Sequence, residues 1–179
     1  MRFKAMAGAA ALAMTAGTVS AQDLIFPPGE HYPMLHHAII TVGNLGTGYL
    51  ALGMLRGAFE DALAYAKERV QWGKPICEHQ LVAKKLFEAS AAIEYCRALL
   101  WKGSWHCANG FPGDLRTSLT AKITATNLAS KHCAELVQVL GGYGLTKDYP
   151  LEKALRDAPL LQVMDGTNDT LMVKAAGLL

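Results

Sequence analysis

A chain of 179 residues with 51% hydrophobic and 18% charged content is long enough to bury a core and too apolar to stay disordered. Its net charge of +2, from 17 Lys and Arg against 15 Asp and Glu, is spread without blocks of like sign. That balance excludes a nucleic-acid partner or an acidic membrane surface held by charge alone.

The first residues differ from the rest. Met1-Arg2-Phe3-Lys4 forms a basic start, Ala5 to Gly17 an alanine-rich apolar run, and Val19-Ser20-Ala21 a small-x-small pattern before Gln22. Residues 1–21 therefore read as a signal-like leader cleaved after Ala21, too short in its apolar part to span a membrane. Cys77, Cys96, Cys107 and Cys133 are even in number, and an exported chain would be free to pair them. None lies in a C-x-x-C or at metal-ligand spacing, and Cys96 and Cys133 fall on apolar helical positions, where thiols act as small hydrophobes. The cysteines thus argue for a reducing compartment, against the leader.

Residues 22–42 hold Pro27, Pro28 and Pro33 and read as an extended arm. His36-His37 follows, two neighbours that a helix would point to different sides, without a partner ligand at helical spacing. From about Asn44 the pattern is helical. Leu45, Tyr49, Leu52, Phe59, Leu63, Ala66 and Val70 follow 4-3 spacing with Arg56 in the one polar slot. Gly43-Asn44-Leu45-Gly46-Thr47-Gly48 has neither the preceding strand nor the Lys-Ser/Thr pair of a phosphate loop. A break at Gly73-Lys74-Pro75 precedes a second helix with Val82, Leu86, Ala89, Ile93, Cys96, Leu100 and Gly103 on its seam. The loop Asn109 to Gly113 leads to Asp114 as N-cap of a third helix. That helix carries Leu119, Ile123, Thr126, Ser130, Cys133, Val137 and Leu140 in the same alternation and ends at Gly141-Gly142. A shorter helix starts near Pro150 and is interrupted or kinked at Pro159, and a last amphipathic piece runs from about Asn168 to Leu178. No segment alternates with period 2. The expected fold class is all-α: an antiparallel up-and-down four-helix bundle with additional short C-terminal helices.

Two turns and one helix end carry chemistry. Gln138-Val139-Leu140-Gly141-Gly142-Tyr143-Gly144 and Met164-Asp165-Gly166-Thr167-Asn168 each follow helical sequence and expose backbone beside small polar groups. Tyr65 to Ile76, followed by Glu78-His79-Gln80, clusters Arg69 and Gln71 beside the Trp72 ring. Such a set can hold a phosphate and a planar ring, since Arg offers a charged fork and Trp a stacking face.

Y-A-K-E-R-x-Q-[FW]-G-K-P-I, then Q-x-L-G-G-Y-G-x-T-K-x-Y-P-x-E-K-x-x-R-D, then [ED]-G-T-[SN], in that order between Gly43 and Leu179, resemble the acyl-CoA dehydrogenase family. The resemblance covers only that family's C-terminal helical domain, residues 43–179 here. The N-terminal helical and middle β domains that normally precede it have no counterpart in this sequence. It implies FAD as cofactor, with Arg69 on the pyrophosphate from a neighbouring subunit. Gln71, Trp72 and Gln80 would line that FAD, with Gln138, Val139, Leu140, Gly141 and Gly142 at the adenine end. Thr167 and Asp169 would face the flavin of the chain's own site, with Gly166 a candidate substrate contact. The implied reaction is α,β-dehydrogenation of an acyl-CoA thioester, and the implied partners are other subunits of a homo- or hetero-oligomer (dimer or tetramer) and an electron-transfer flavoprotein or similar acceptor. Family resemblance implies the cytoplasm; the leader implies periplasm or secretion.

Two positions depart from the family pattern. Asp165 stands where the family has its glutamate base, one methylene shorter and so withdrawn by roughly 1.5 Å. Val42 and Asn44 stand where the family has an acidic residue and an arginine near the CoA. Asp165 is then either a base re-aimed for a different acyl group or a residue of a non-catalytic helical subunit. That subunit would assemble oligomers and contact FAD beside a partner chain.

Overall fold

The structure is a computed structural model and describes residues 32–179, so the leader and the arm before residue 32 lie outside the described residues. Five helices follow one another: α1 (Tyr32–Glu68), α2 (Gln80–Asn109), α3 (Leu115–Leu140), α4 (Leu151–Val163) and α5 (Asn168–Ala176). Ala38 to Leu179 forms one compact unit. The extended arm expected up to residue 42 is corrected over residues 32–42, which are helical. Pro33 sits in the first turn of α1, where a missing N–H has no intrahelical acceptor to lose, so it starts the helix instead of preventing it.

α1 buries Leu45, Ala51, Leu55, Ala58, Ala62 and Ala66. This face lies beside the one read from the sequence: Tyr49, Arg56 and Val70 are exposed, and Leu52, Phe59 and Leu63 pack against the core from its flank. Close approach is the cause. A Cβ on Gly48 would lie 2.5 Å from Leu100 Cδ2 and 3.5 Å from Lys122 Cα, and one on Gly103 would lie 2.5 Å from Leu45 Cδ2. Small residues face inward at these contacts because only they let the backbones come so near; Tyr49, Leu52, Phe59 and Leu63 are left at the rim, and Leu45 and Leu55 are the large side chains of the inner face. The contacts 45 to 103 and 48 to 100 also fix α1 antiparallel to α2. By length and composition α1 is apolar enough to cross a membrane, and 39% of that apolar stretch is buried in the bundle.

α2 follows its expected seam, with Leu86, Ala89, Ile93, Cys96, Leu100 and Gly103 buried. On α3, burial goes well beyond the seam to Thr117, Ser118, Lys122 and His132, because α2, α4, α5 and α1 surround it. Asp114 caps α3 as expected, accepting from Arg116 N at 3.1 Å and from the Thr117 hydroxyl. Burial alone would raise its carboxyl pKa, but those bonds outweigh it and hold it below the usual carboxylate value. All four cysteines are free, and Cys96 and Cys133 lie in the core.

The break between α1 and α2 is a two-stranded hairpin, β1 (Val70–Gln71) against β2 (Lys74–Pro75), turning at Trp72 (φ 53°) and Gly73 (φ 76°). Positive φ at both central residues matches the right-handed twist of a tight hairpin. α4 runs through Pro159 to Val163, so the proline does not end the helix. Bonds from Gln162 to Asn127 and from Lys122 to Gly166 set α4 and the turn after it antiparallel to α3.

Candidate functional site

The sequence-predicted residues gather at two ends of the bundle. At the first, the C-terminal end of α1, the hairpin and the end of α3 enclose an open cleft of about 780 Å³. Arg69, Gln71 and Trp72 line one wall, and Gln138, Val139, Leu140, Gly141 and Gly142 line the other. These two motifs are about 70 residues apart in the chain, and the antiparallel packing brings them face to face.

Local chemistry holds each wall. Arg69 N donates to Tyr65 O (2.9 Å) as α1 ends, and Ile76 N donates to Arg69 O (2.8 Å) as the hairpin closes. His79 Nε2 lies 3.1 Å from Gln71 O and ties the start of α2 to the hairpin. Trp72, in the left-handed region, is 92% exposed, so its indole is presented and not packed. On the other wall Gly141 (φ 61°) caps α3, its N–H donating to Gln138 O. Gly144 admits no side chain, since a Cβ would lie 2.7 Å from Val137 O. The arrangement offers guanidinium and amide donors, bare glycine backbone and aromatic faces, which suits a phosphate joined to a planar ring.

Sequence reasoning assigned no role to Tyr65, His79, Tyr143 and Thr146, which also line the cleft. Tyr65 and Tyr143 pack with Tyr149 at centroid distances of 5.9–6.3 Å. Their signal was present inside the quoted motifs. Gln80 opens α2 next to His79 but is not among the lining residues.

The second group sits partway along α1, against Gly43 and Thr47. Asp165 (φ 55°) and Gly166 (φ 101°) form a left-handed pair between α4 and α5. Thr47 Oγ1 on α1 donates to Asp165 Oδ2 at 3.0 Å, and a Cβ on Gly43 would lie 3.0 Å from the same oxygen. The carboxylate thus rests against α1 where Gly43 leaves room for it. Beneath it Lys122 is fully buried and donates from Nζ to Gly166 O (2.8 Å), Asn168 Oδ1 (2.8 Å) and Gln162 O (3.2 Å). Asn168 in turn donates to Thr126 Oγ1 (2.9 Å) and Asn127 Oδ1 (2.8 Å). Burial pushes the Lys122 ammonium below the ordinary lysine value, and the Asp165 charge offsets that only in part.

Thr167 accepts from Thr170 N as cap of α5, and Asp169 is exposed in the first turn. Val42 is exposed, whereas Asn44 is buried and donates to Ile40 O (2.9 Å) within its own helix. Asn44 therefore does not stand in for an arginine open to a ligand. Gly43, Thr47 and Lys122 were missed by sequence reasoning as parts of this site, and Asn168, quoted with the turn, was given no role of its own. The lysine had a signal: it lies four residues before Thr126 on a helix without an acidic neighbour at helical spacing.

Thr47 and Glu68 are 21 positions apart on one helix, so the two groups stand about 30 Å apart.

Comparison with known proteins gives a consistent picture. Residues 36–176 match the family model "Acyl-CoA dehydrogenase, C-terminal domain". The short-chain specific acyl-CoA dehydrogenase of Megasphaera elsdenii is 33% identical over 163 residues, 90% of this chain and 42% of that protein. The structure of butyryl-CoA dehydrogenase from the same organism superposes with a TM-score of 0.78 at 33% identity, covering 84% of this chain and 39% of that one. A nitroalkane oxidase structure, described as an active-site mutant with aspartate changed to asparagine, superposes with a TM-score of 0.75 at 27% identity over 83% of this chain and 35% of its own. The chain spans about two fifths of the length of the first two relatives. With most of its length matched by the family model, the chain belongs to the acyl-CoA dehydrogenase family and corresponds to its C-terminal domain.

Proposed function

We propose that this chain is the helical, base-bearing part of an FAD-dependent acyl-CoA dehydrogenase that works only when assembled with further chains. The observation that carries this reading is the cleft in which Arg69, Gln71 and Trp72 oppose Gln138 to Gly142. Its donors and bare backbone fit the phosphate and adenine portion of FAD; Arg69 would hold the pyrophosphate, and the Gly141-Gly142 turn would lie against the adenine. The flavin end would come to rest near Thr167 and Asp169 of another subunit, since those residues are about 30 Å away along α1.

In the proposed reaction an acyl thioester loses a proton from its α carbon and a hydride from its β carbon. FAD, when bound, supplies the hydride acceptor, later relieved of its electrons by an electron-transfer flavoprotein or similar acceptor. Asp165 takes the α proton on its carboxylate. Thr47 holds Oδ2, leaving Oδ1 as the oxygen toward substrate. In the isolated chain Asp165 is exposed, and a base of this kind needs a partly dry site to match the working pH. The residues that exclude water would come from the partner chain. The active-site aspartate of the nitroalkane oxidase relative supports the view that this shorter carboxylate can serve in such a fold.

The alternative, a non-catalytic subunit that assembles oligomers and contacts FAD, rests on the buried Asn44 and exposed Val42 in place of the family's charged pair. One experiment separates them. The chain, purified with whatever it assembles with in its host, is assayed for bound yellow flavin and for acyl-CoA-dependent reduction of an acceptor dye. Flavin together with reduction, lost in Asp165→Ala, supports the enzyme. Flavin without reduction by any acyl-CoA supports the assembly subunit, and neither signal removes both readings.

The proposed place of action is the cytoplasm, where a folded chain can meet FAD and its partners. Mass spectrometry showing a mature chain that starts at Gln22 would overturn that assignment.

A further inference from the structure

The geometry points to Lys122 as the positioning residue of the Asp165 turn. An ammonium has three N–H donors, and those of Lys122 meet three acceptors: Gln162 O at 3.2 Å, Gly166 O at 2.8 Å and Asn168 Oδ1 at 2.8 Å. The three acceptors bracket Asp165 in sequence. Gln162 O belongs to the last turn of α4, whose carbonyls have no partner within the helix. Gly166 follows the carboxylate directly, and Asn168 opens α5. One buried cation therefore ties the end of one helix, the left-handed turn and the start of the next to α3.

The turn needs such a tie. Asp165 at φ 55° occupies a region that side-chain-bearing residues adopt sparingly, and such conformations persist only when the surroundings determine them. A positive charge at the C-terminal end of α4 also matches that helix's dipole. Asn168 extends the hold, since its amide hydrogens reach Thr126 Oγ1 and Asn127 Oδ1 on α3. Lys122 touches neither the Asp165 carboxylate nor the space in front of it, so its action is on the backbone that aims the side chain. The Asp165 charge is near enough to offset part of the burial effect on the ammonium.

This role rests on the proposed reaction for its purpose, and its test does not. In the full chain, amide hydrogen exchange is followed in Lys122→Met and in the wild type. Exchange at Met164 and Leu171, whose N–H groups donate to Leu160 O (3.1 Å) and Thr167 O (3.0 Å) on either side of the turn, should quicken at least tenfold, with the middle of α2 unchanged within twofold. Asn168→Ala, which removes one acceptor and leaves the lysine, should quicken the same amides less, and it carries the test if Lys122→Met does not fold. Gln162→Ala, which alters the bond to Asn127 but keeps the Gln162 carbonyl, should leave them as they are. Equal acceleration in every helix, or none at the turn, would overturn the assignment. In the assembled flavoprotein, Lys122→Met should lower kcat at least tenfold with KM and flavin content little changed. An unchanged kcat would overturn the positioning role. If the wild type itself never turns over an acyl-CoA, the exchange result still decides whether Lys122 holds the turn, and it is the proposed reaction that falls.

Discussion

Thr47 and Gly43 decide where the Asp165 carboxylate rests. Thr47 gives it one hydrogen bond at 3.0 Å, and Gly43 leaves the space that a methyl group would contest at 3.0 Å. Replacing Thr47 with Val keeps the volume and removes the donor. Stability should then change by only about 1 kcal/mol, since a single bond at a partly exposed carboxylate is lost. The proposed proton abstraction should suffer more: a carboxylate misplaced by an ångström costs on the order of 10²-fold in rate. Steady-state kinetics on the assembled enzyme should therefore show kcat reduced by about 10- to 100-fold at nearly constant KM, and an unaffected kcat would remove Thr47 from the site. Asp165 was legible in the sequence, because a carboxylate beside Gly-Thr at a helix junction carries its own signal. Its supports were not. Thr47 and Gly43 stand over a hundred residues earlier, in a glycine-rich stretch that was weighed only as a phosphate loop and set aside. Lys122 was passed over because a seam of period 3.5 says nothing about a helix enclosed on most sides.

At the scale of elements, the three long helices and their order follow from apolar periodicity, while the face that α1 turns inward does not. The pattern of large residues selects Tyr49, Phe59 and Leu63, whereas the core takes Ala51, Leu55, Ala58 and Ala62. Periodicity weighs size, and close packing at Gly48 and Gly103 selects smallness. The α2 seam and most of the α3 seam were read correctly, Cys96 and Cys133 among them, while Ile123 and Ser130 on α3 are only half-buried. Burial pushes both thiols up from 9.0 to about 11. Between those values the unfolded chain releases protons that the folded chain keeps, so ν_U is smaller than ν_N and stability falls as pH rises. Two pH units amount to about 2–3 kcal/mol for each thiol once pH reaches the folded value. Denaturant midpoints should be flat just below the 9.0 of an unburied thiol and fall toward about 11. The Cys96→Ala, Cys133→Ala double variant should be less stable at neutral pH and show a shallower fall. A slope identical to that of the wild type would mean that these thiols do not ionise on unfolding.

The whole molecule is organised along α1, which holds the cleft at its C-terminal end and the Asp165 turn against Gly43 and Thr47, about 30 Å away. Either the two groups serve different ligands, or they serve one cofactor reaching between chains. The second arrangement makes a prediction that the first does not. Arg69→Ala should weaken FAD retention, and Asp165→Ala should keep the flavin but lose its reduction by acyl-CoA. If each site combines the cleft of one chain with the turn of another, an oligomer mixing the two variants contains sites in which both residues are intact. It also contains sites in which both are altered. Random pairing in a two-fold assembly would restore about a quarter of the wild-type activity, since half the pairs are mixed and half their sites are whole. If each site drew both residues from one chain, every site would carry one defect, and mixing would restore nothing. Co-expressing the two variants and comparing acyl-CoA-dependent flavin reduction with that of each variant alone therefore reads the geometry of the site directly. Recovery requires Arg69 and Asp165 to act across a subunit boundary, and its absence would leave the cleft and the turn to different ligands.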